Sequence, residues 1–404
     1  MTATLCRETG ITAAAGFRAS GIHCGIRKGR LDLALIVSDR EASAAAVFTR
    51  NLVVAAPVTL SKRALEQSGG RAGAIVVNSG NANCCTGEQG AAAAQRTAEE
   101  AARLLGLPAE RVLVSSTGVI GEQLPVDRLI AGLPAAVAAL SAGTGGADAS
   151  HVILTTDTRV KESVRRVKGP FGEFVIGAMA KGSGMIHPDM GTTLAFVTTD
   201  AAVGPVSLRA SLVRAADLSF NRVTVDGDTS TNDMIAILAN GASGVDVESD
   251  PEALAAFSAG LTEVLVDLAR EVARDGEGAT RLITVTVTGA VSESDALTVS
   301  RCVAGSPLVK TAIHGADANW GRVIAAAGRS GVFIRPEGLT LQMNGLTVLS
   351  PGYHSDFSEK EASRLLSHDE VTIHLDLGAG SAQATTWTCD LTRKYIDINA
   401  RYRT

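Results

Sequence analysis

The composition of this 404-residue chain is that of a globular protein, with 46% hydrophobic and 20% charged residues. Its length predicts roughly two to three structural units. A net charge of −5 without a Lys/Arg-rich run excludes a basic nucleic-acid surface, and aromatic residues at 3% offer little for base stacking. The amino terminus lacks a secretory pattern and no apolar run could span a bilayer, so we expect a cytoplasmic protein that acts on small molecules, without membrane contact.

Segments rich in β-branched residues alternate with alanine-rich segments through the first part of the chain. An alanine-rich helix is predicted over 91–105, where Gly106 and Pro108 end it. Short buried strands are predicted at 74–77, 112–114, 194–199 and 223–225. This alternation favours mixed α/β packing.

The clearest helix of the sequence begins after an N-cap at Asp250, carries Pro251 in its first turn and is predicted to end at Gly276. Its apolar residues recur on one face, as in an amphipathic helix. It leads into the turn Asp-Gly-Glu-Gly at 275–278, where Glu277 is placed to meet a ligand. Residues 283–288 then alternate Ile or Val with Thr, which predicts a half-buried strand.

The last part of the chain predicts another helix and another strand. Ser-Glu-Lys-Glu at 358–361 has the pattern of a capping box, and 371–377 alternate as in a strand. Six cysteines are scattered without zinc-type spacing, which favours free buried thiols. We interpret the adjacent pair Cys84 and Cys85 as small core residues in preference to a redox pair.

One segment combines a glycine-rich loop with a hydroxyl residue that directly follows glycine. It reads Lys-Gly-Ser-Gly-Met-Ile-His-Pro-Asp-Met-Gly-Thr over 181–192 and precedes a predicted strand. If Oγ of Thr192 attacks the carbonyl of Gly191, the peptide bond shifts to an ester, and hydrolysis leaves Thr192 as a new amino terminus. Its α-amine, with an ordinary pKa of about 7.7–8.0, is then a base beside its own hydroxyl. Gly-Thr alone more often marks a loop that enters a strand, but this setting suits backbone cleavage.

The segments that carry a family resemblance run through almost the whole chain. In chain order they are 16–21, 46–51, 78–83, 115–121, 155–158, 181–200, 220–233, 275–278, 310–322 and 390–404. Through them the chain resembles the ornithine acetyltransferase family of arginine biosynthesis, also called glutamate N-acetyltransferases. The resemblance implies a self-processed enzyme that transfers acetyl from N²-acetylornithine to glutamate by ping-pong chemistry. Thr192 would carry the acetyl group as an ester, ornithine would leave, and no cofactor would be required.

The same resemblance implies an architecture: an α/β fold with a layered αββα sandwich and a smaller C-terminal α/β subdomain from about residue 280. Cleavage would give the fragments 1–191 and 192–404, which remain together, and two such pairs would form a dimer. The cleaved partner fragment would thus be part of the working enzyme.

The resemblance also assigns roles to individual residues. Thr117 and Gly118 would form the oxyanion hole for acyl transfer. The substrate would be bound by Thr192 and by Thr155, Lys181, Glu277, Asn399 and Thr404. The residues themselves leave simpler interpretations open: the Ser-Ser-Thr-Gly run is typical of a strand-to-helix turn, and a lone Lys is more often a surface charge.

The sequence departs from the family pattern around the proposed cut. Gly191 stands where the family usually has Ala, Thr193 replaces an apolar residue, and His187 and Asp189 replace Ala and Asn. The attacked carbonyl belongs to the backbone, so glycine permits the reaction. Glycine also loosens the loop that must hold a strained geometry, and we therefore expect slower cleavage.

Several alternatives remain at this stage. Water as acceptor would make the protein an N-terminal-nucleophile amidohydrolase or aminopeptidase, and an uncleaved chain would be a ligand-binding relative. Acetyl-CoA is an alternative donor, although no basic cluster for its phosphates is visible. Asp226, Asp228 and Asp233 lack the spacing of a calcium loop and indicate a structural turn, and the histidines show no metal-ligand spacing.

Overall fold

The computed structural model describes residues 10–187 and 193–401. Gly191, Thr192 and Thr404, which the sequence singles out, lie outside the described residues. The strands are β1 (Phe17–Ile22), β2 (Leu33–Phe48), β3 (Arg71–Asn81), β4 (Val112–Val119), β5 (Lys161–Gly169), β6 (Gly172–Lys181), β7 (Leu194–Thr199), β8 (Met234–Ala239), β9 (Leu282–Ala290), β10 (Thr340–Met343), β11 (Leu346–Leu349), β12 (Glu370–Asp376) and β13 (Ala382–Cys389). The helices are α1 (Ala56–Gln67), α2 (Gly87–Leu105), α3 (Val126–Ala138), α4 (Gly145–Val152), α5 (Pro205–Leu218), α6 (Pro251–Arg274), α7 (Glu293–Ala304), α8 (Pro307–His314), α9 (Trp320–Gly328), α10 (Glu359–Leu366) and α11 (Arg393–Asn399).

The larger sheet has the strand order β4-β3-β2-β8-β7-β6-β5, with β1 paired to β2. Strands β3 and β4 are parallel, as are β7 and β8, and the other neighbours are antiparallel. The long strand β2 pairs with β3 mainly through its first part and with β8 through its last part. A register shift between Val37 and Ala42 separates these two parts, so β2 belongs to two halves of the sheet.

The two halves pack against each other and each carries helices on its outer face. Val77 of β3 and Ala236 of β8 belong to one inner apolar cluster. Their neighbours point outward: Val76 packs with residues of α1, α2 and α3, and Ile237 packs with residues of α5 and α6. Successive residues of a strand face opposite sides of a sheet, so the order is helix, sheet, sheet, helix. This confirms the predicted αββα layering.

The second sheet follows α6 and has the order β11-β10-β12-β9-β13. Strands β9 and β12 are parallel, and the other neighbours are antiparallel. Its apolar cluster draws on α7, α8 and α9, with Trp320 partly buried against it. The alternation predicted at 283–288 is confirmed, because Ile283, Val285 and Val287 are fully buried.

Helix α6 confirms the sequence prediction at its start, where Asp250 accepts a hydrogen bond from the backbone N–H of Glu252. It ends at Arg274, two residues before Gly276. Helix α2 begins at Gly87, earlier than predicted, and ends as expected at Leu105. At α10 the side chain of Ser358 accepts from the N–H of Glu361, which is one half of the predicted capping box.

The strand predicted at 223–225 is wrong. Val223 makes a single bridge to Trp387, and the N–H groups of Thr224 and Val225 donate to the carbonyls of Trp387 and Ile186. The segment divides its hydrogen bonds between two partners and so cannot extend either ladder. The turn expected at 115–121 is also corrected, since β4 continues through Thr117 and Gly118 to Val119.

The prediction that the cysteines are free, buried thiols is confirmed only in part. Those that the structure describes are free thiols, and Cys84 and Cys389 are buried, but Cys85 is exposed and Cys24 and Cys302 are half-buried. The Cys84 and Cys85 sulfurs lie 3.8 Å apart. Of the helices in the described ranges, none combines the length and apolar character needed to cross a membrane.

Candidate active site

A cavity opens where the end of β4, the end of β6 and several loops meet. Thr117 and Gly118 reach it from β4, Thr155 from the loop before β5, and Lys181 from the last position of β6. The turn after α6 and the helix α11 complete it. Its described lining comprises Ala82, Thr117, Gly118, Ile120, Thr155, Thr156, Lys181, Gly184, Met185, Asp226, Asp228, Ser230, Thr231, Asn232, Glu277, Tyr395 and Asn399. All six described residues for which the sequence predicts a role therefore line one cavity.

Gly118 occupies a position that excludes any side chain. Its φ of 137° lies in a region that L-residues rarely adopt, and a Cβ there would lie 2.3 Å from the carbonyl carbon of Gly80. The crowding arises because β3 and β4 shift register between Gly80 and Asn81. The backbone of β4 is thus pressed against β3 at the point where it reaches the cavity, and Thr117 is fixed beside it.

Lys181 brings a positive charge to the same place. Its Nζ lies 3.5 Å from Oγ1 of Thr117, although the two residues are on separate strands. Of the described residues that line the cavity, Lys181 alone carries a positive charge, while Asp226, Asp228 and Glu277 carry carboxylates. Such a lining suits a small zwitterion that presents one carboxylate and amino groups.

Glu277 is held by one hydrogen bond through its backbone and another through its side chain. Its N–H donates to the carbonyl of Ser183 at 2.9 Å, and its Oε2 accepts from Nδ2 of Asn399 at 2.7 Å. A Cβ on Gly184 would lie 2.5 Å from the Glu277 carboxyl carbon, so the glycine allows the loop to approach it. The predicted substrate residues Glu277 and Asn399 are therefore direct neighbours.

Asp226 fixes the loop that follows Lys181. Its two carboxylate oxygens accept from the N–H groups of Met185 at 2.6 Å and Ile186 at 2.9 Å. Burial raises the pKa of Asp226, and these N–H groups oppose that rise. Burial and the nearby carboxylates, Asp226 first among them, raise the pKa of Tyr395 to about 12. Within the described residues no group of three His, Cys, Asp or Glu side chains could hold a metal ion.

Asp233 is a buried acid directly before β8 that sequence analysis interpreted only as part of a turn. Burial raises its pKa well above the ordinary value, against the opposing effects of a hydrogen bond from Ser230 and the charge of Lys181. In the described part of the chain its Oδ2 has no hydrogen-bond partner, and neither has Oγ1 of Thr193. Thr193 lies close by, because its carbonyl accepts from the N–H of Met234 at 3.0 Å.

A buried ionic cluster behind the cavity was missed by sequence analysis. The Lys161 ammonium contacts the carboxylates of Asp157 and Asp275 at 2.7 and 2.6 Å. Both aspartates belong to segments that the sequence singles out, at 155–158 and 275–278, but nothing around Lys161 distinguishes it from a surface lysine. His187, one of the departures from the family pattern, lies with its ring Nδ1 3.1 Å from Oγ1 of Thr224.

Comparison with known proteins gives the following matches. The sequence profile of the ArgJ family matches residues 18–404. The arginine biosynthesis bifunctional protein ArgJ of Symbiobacterium thermophilum is 51% identical over 399 residues, with 98% of each chain covered. That of Chlorobaculum tepidum is 49% identical over 388 residues, with 96% of each covered. The crystal structure of the arginine biosynthesis bifunctional protein argJ from Bacillus halodurans is 43% identical, with a TM-score of 0.49, and covers 51% of this chain and 98% of that chain.

Proposed function

We propose, from the premise that this chain belongs to the ArgJ family, that it transfers acetyl from N²-acetylornithine to glutamate in arginine biosynthesis. The observation that supports the assignment best is the convergence of Thr117, Gly118, Thr155, Lys181 and Glu277, with Asn399, on one cavity. These residues come from five separate parts of the chain. A solved relative from Mycobacterium tuberculosis, 42% identical, is an ornithine acetyltransferase complexed with ornithine.

The proposed reaction begins with cleavage of the bond between Gly191 and Thr192, which frees the α-amine of Thr192. That amine takes the proton of the Thr192 hydroxyl as its oxygen attacks the acetyl carbonyl of acetylornithine. The hydroxyl of Thr117 and the N–H of Gly118 stabilise the oxyanion, and the ornithine amine leaves with the proton. The amine of glutamate then attacks the acetyl-Thr192 ester, which yields N-acetylglutamate and restores the hydroxyl.

Substrate binding follows from the charges of the described residues. Lys181 is proposed to hold the α-carboxylate that ornithine and glutamate share, with Thr155 beside it. Glu277 accepts from an amino group of the ligand, and Asn399 orients the Glu277 carboxylate through their 2.7 Å hydrogen bond. Thr404 is proposed to add a contact from the carboxyl end. No cofactor enters this scheme, and we propose that the enzyme works in the cytoplasm as a dimer of cleaved pairs.

A second candidate function is synthesis of N-acetylglutamate from acetyl-CoA. It is supported by the name of the curated relatives, which are called bifunctional proteins. In that reaction the same acetyl-Thr192 ester would form, with the thiol of coenzyme A as the leaving group.

Intact-mass measurement combined with a transfer assay tests the proposal. The purified wild type is expected as the two fragments 1–191 and 192–404, and should convert acetylornithine and glutamate to ornithine and N-acetylglutamate. Thr192→Ala should stay a single inactive chain. Thr193→Val is the matched control, since it removes the adjacent hydroxyl, and it should still be cleaved and active. One full-length mass with undiminished transfer would refute the mechanism, and free acetate without N-acetylglutamate would indicate an amidohydrolase.

A further inference from the structure

Lys161 is a fully buried lysine that lies outside the described lining of the cavity. It is the first residue of β5, and its side chain has no exposed surface. A buried ammonium is costly unless it is paired and hydrogen-bonded. Here it is paired twice, at 2.7 Å from Oδ1 of Asp157 and at 2.6 Å from Oδ2 of Asp275. The side chains of both aspartates are also almost wholly buried.

Asp157 connects this lysine to two of the proposed substrate residues. Its Oδ1 accepts from the N–H of Gly182 at 2.7 Å, and Gly182 directly follows Lys181. Its Oδ2 accepts from the N–H of Thr155 at 3.0 Å. Burial alone would raise the pKa of Asp157, but the charges of Lys181 and Lys161 hold it well below the usual range. Asp157 is therefore an ionised acceptor that fixes the backbone beside Thr155 and Lys181.

Asp275 connects the lysine to the third substrate residue. Its carboxylate accepts from the N–H of Thr158 at 3.0 Å and from the Thr158 hydroxyl. Its carbonyl accepts from the hydroxyl of Ser183 at 2.8 Å, and the carbonyl of Ser183 accepts from the N–H of Glu277. The loop after Lys181 and the turn that carries Glu277 are thus joined through Asp275.

We infer that Lys161 is a positioning residue: its ammonium, shared by Asp157 and Asp275, holds in one arrangement the three segments that carry Thr155, Lys181 and Glu277. The inference rests on the proposed function for the roles of those three residues. Without the ammonium, two buried carboxylates would lose the cation between them, and the Arg159 guanidinium, 3.7 Å from Asp275, would be a more distant counter-ion. The 155–158 loop and the 275–278 turn would then move apart. These three residues bind the substrate in the proposed function, so their displacement should weaken binding in the ground state and the transition state alike.

The main test compares Lys161→Met with Lys161→Arg. Methionine keeps the length of the side chain and removes the charge, so the KM for acetylornithine and for glutamate should each rise about tenfold or more, with a smaller change in kcat. Arginine keeps the charge and should recover part of the affinity. Lys168→Met is the matched control on the same strand, because Lys168 makes an exposed ion pair with Glu173. It should leave both constants unchanged.

A double variant keeps the test decisive if Lys161→Met fails to fold. In Lys161→Met with Asp275→Asn only one carboxylate remains beside the lost ammonium, so folding and part of the affinity should return. If a folded Lys161→Met keeps the wild-type KM values, or if the double variant folds and binds no better than the single one, the inference is overturned.

Calorimetric titration with L-ornithine separates this inference from the proposed function. The wild type should bind ornithine, and folded Lys161→Met should bind it about tenfold more weakly or worse. That result would support the positioning role even if the wild type failed to transfer acetyl, in which case only the proposed function would fall. Equal ornithine affinity in both proteins would overturn the positioning role whatever the transfer activity.

Discussion

Thr117 and Lys181 show how two neighbouring residues can serve one site in different ways. Their side chains meet at 3.5 Å from the ends of separate strands. Thr117 is proposed to stabilise charge that develops only in the transition state, whereas Lys181 is proposed to bind a carboxylate that is present throughout. An interaction made only in the transition state changes kcat, and one made equally in ground and transition states changes KM.

We therefore expect Thr117→Ala and Lys181→Ala to fail differently. Thr117→Ala should lower kcat by about a hundredfold or more, because it removes the proposed oxyanion donor. Lys181→Ala should mainly raise the KM of both amino acids. Initial-rate kinetics on fully cleaved protein measure both constants. Ser115→Ala is the control on the same strand, since the Ser115 hydroxyl is buried without a hydrogen-bond partner in the described part of the chain. Equal KM effects with an unchanged kcat in both variants would count against these roles.

The residues of the site differ in how far the sequence could predict them. The place of Glu277 in a turn follows from the helix before it, whose start signals are clear, and this turn lines the cavity. Thr155 and Lys181 acquire roles only through the family resemblance, because a Thr in a loop and a Lys at the end of a strand are common. The burial of Lys161 could not be predicted from the sequence. It depends on the carboxylate of Asp157, in the loop just before β5, and on that of Asp275, which is distant in the sequence.

At the scale of elements, prediction succeeds where local signals agree. Helix α6 has an N-cap, a proline in its first turn and a continuous apolar face, so its start is placed correctly. The segment 223–225 has β-branched residues, but among the residues that the structure describes no partner strand continues beside it. Strand β4 extends past its apolar part because β3 runs parallel to it up to Gly80, which the Ser-Ser-Thr-Gly run does not reveal.

Strands β7 and β8 begin side by side, and we expect the acid directly before β8 to make their junction sensitive to pH. Asp233 is buried, and its pKa is raised above the ordinary value of about 3.9. A raised folded-state pKa contributes stability that is complete below the unfolded pKa and is lost as pH rises through the folded pKa. We expect Asp233→Asn, which does not titrate, to become increasingly stable relative to Asp233 as the pH rises from about 4.

Urea unfolding in a Thr192→Ala background, where the chain should remain single, measures this effect. The difference between the unfolding midpoints of the Thr192→Ala parent and of the same chain with Asp233→Asn added should grow with pH and then level off. A difference that stays constant from about pH 4 upward, or that shrinks, would contradict the raised pKa.

At the scale of the whole molecule, the charge around the cavity bears on the choice of acetyl donor. Lys181 is the one basic residue among the described residues of the lining, and a phosphate-rich donor such as acetyl-CoA is usually held by several basic groups. We therefore expect kcat/KM for N²-acetylornithine to exceed that for acetyl-CoA by far.

Initial rates with glutamate as acceptor and each donor in turn check this expectation. Acetyl-CoA is the donor to compare, because it is the alternative that the sequence leaves open. Equal kcat/KM values for the two donors would overturn the expectation and identify a bifunctional enzyme. Thr192→Ala should lose both reactions, since one ester serves both.

The strand order of the larger sheet has a consequence for the lifetime of the enzyme. With the proposed cut, β7 and β8 belong to the second fragment but lie between β2 and β6 of the first. The two fragments are interleaved, so they cannot separate without breaking the ladders on both sides. Once unfolded, however, they would have to find each other by diffusion and rebuild a sheet that neither contains alone. Cleavage would thus make unfolding a one-way event, and the persistence of the enzyme would depend on the rate at which it first opens.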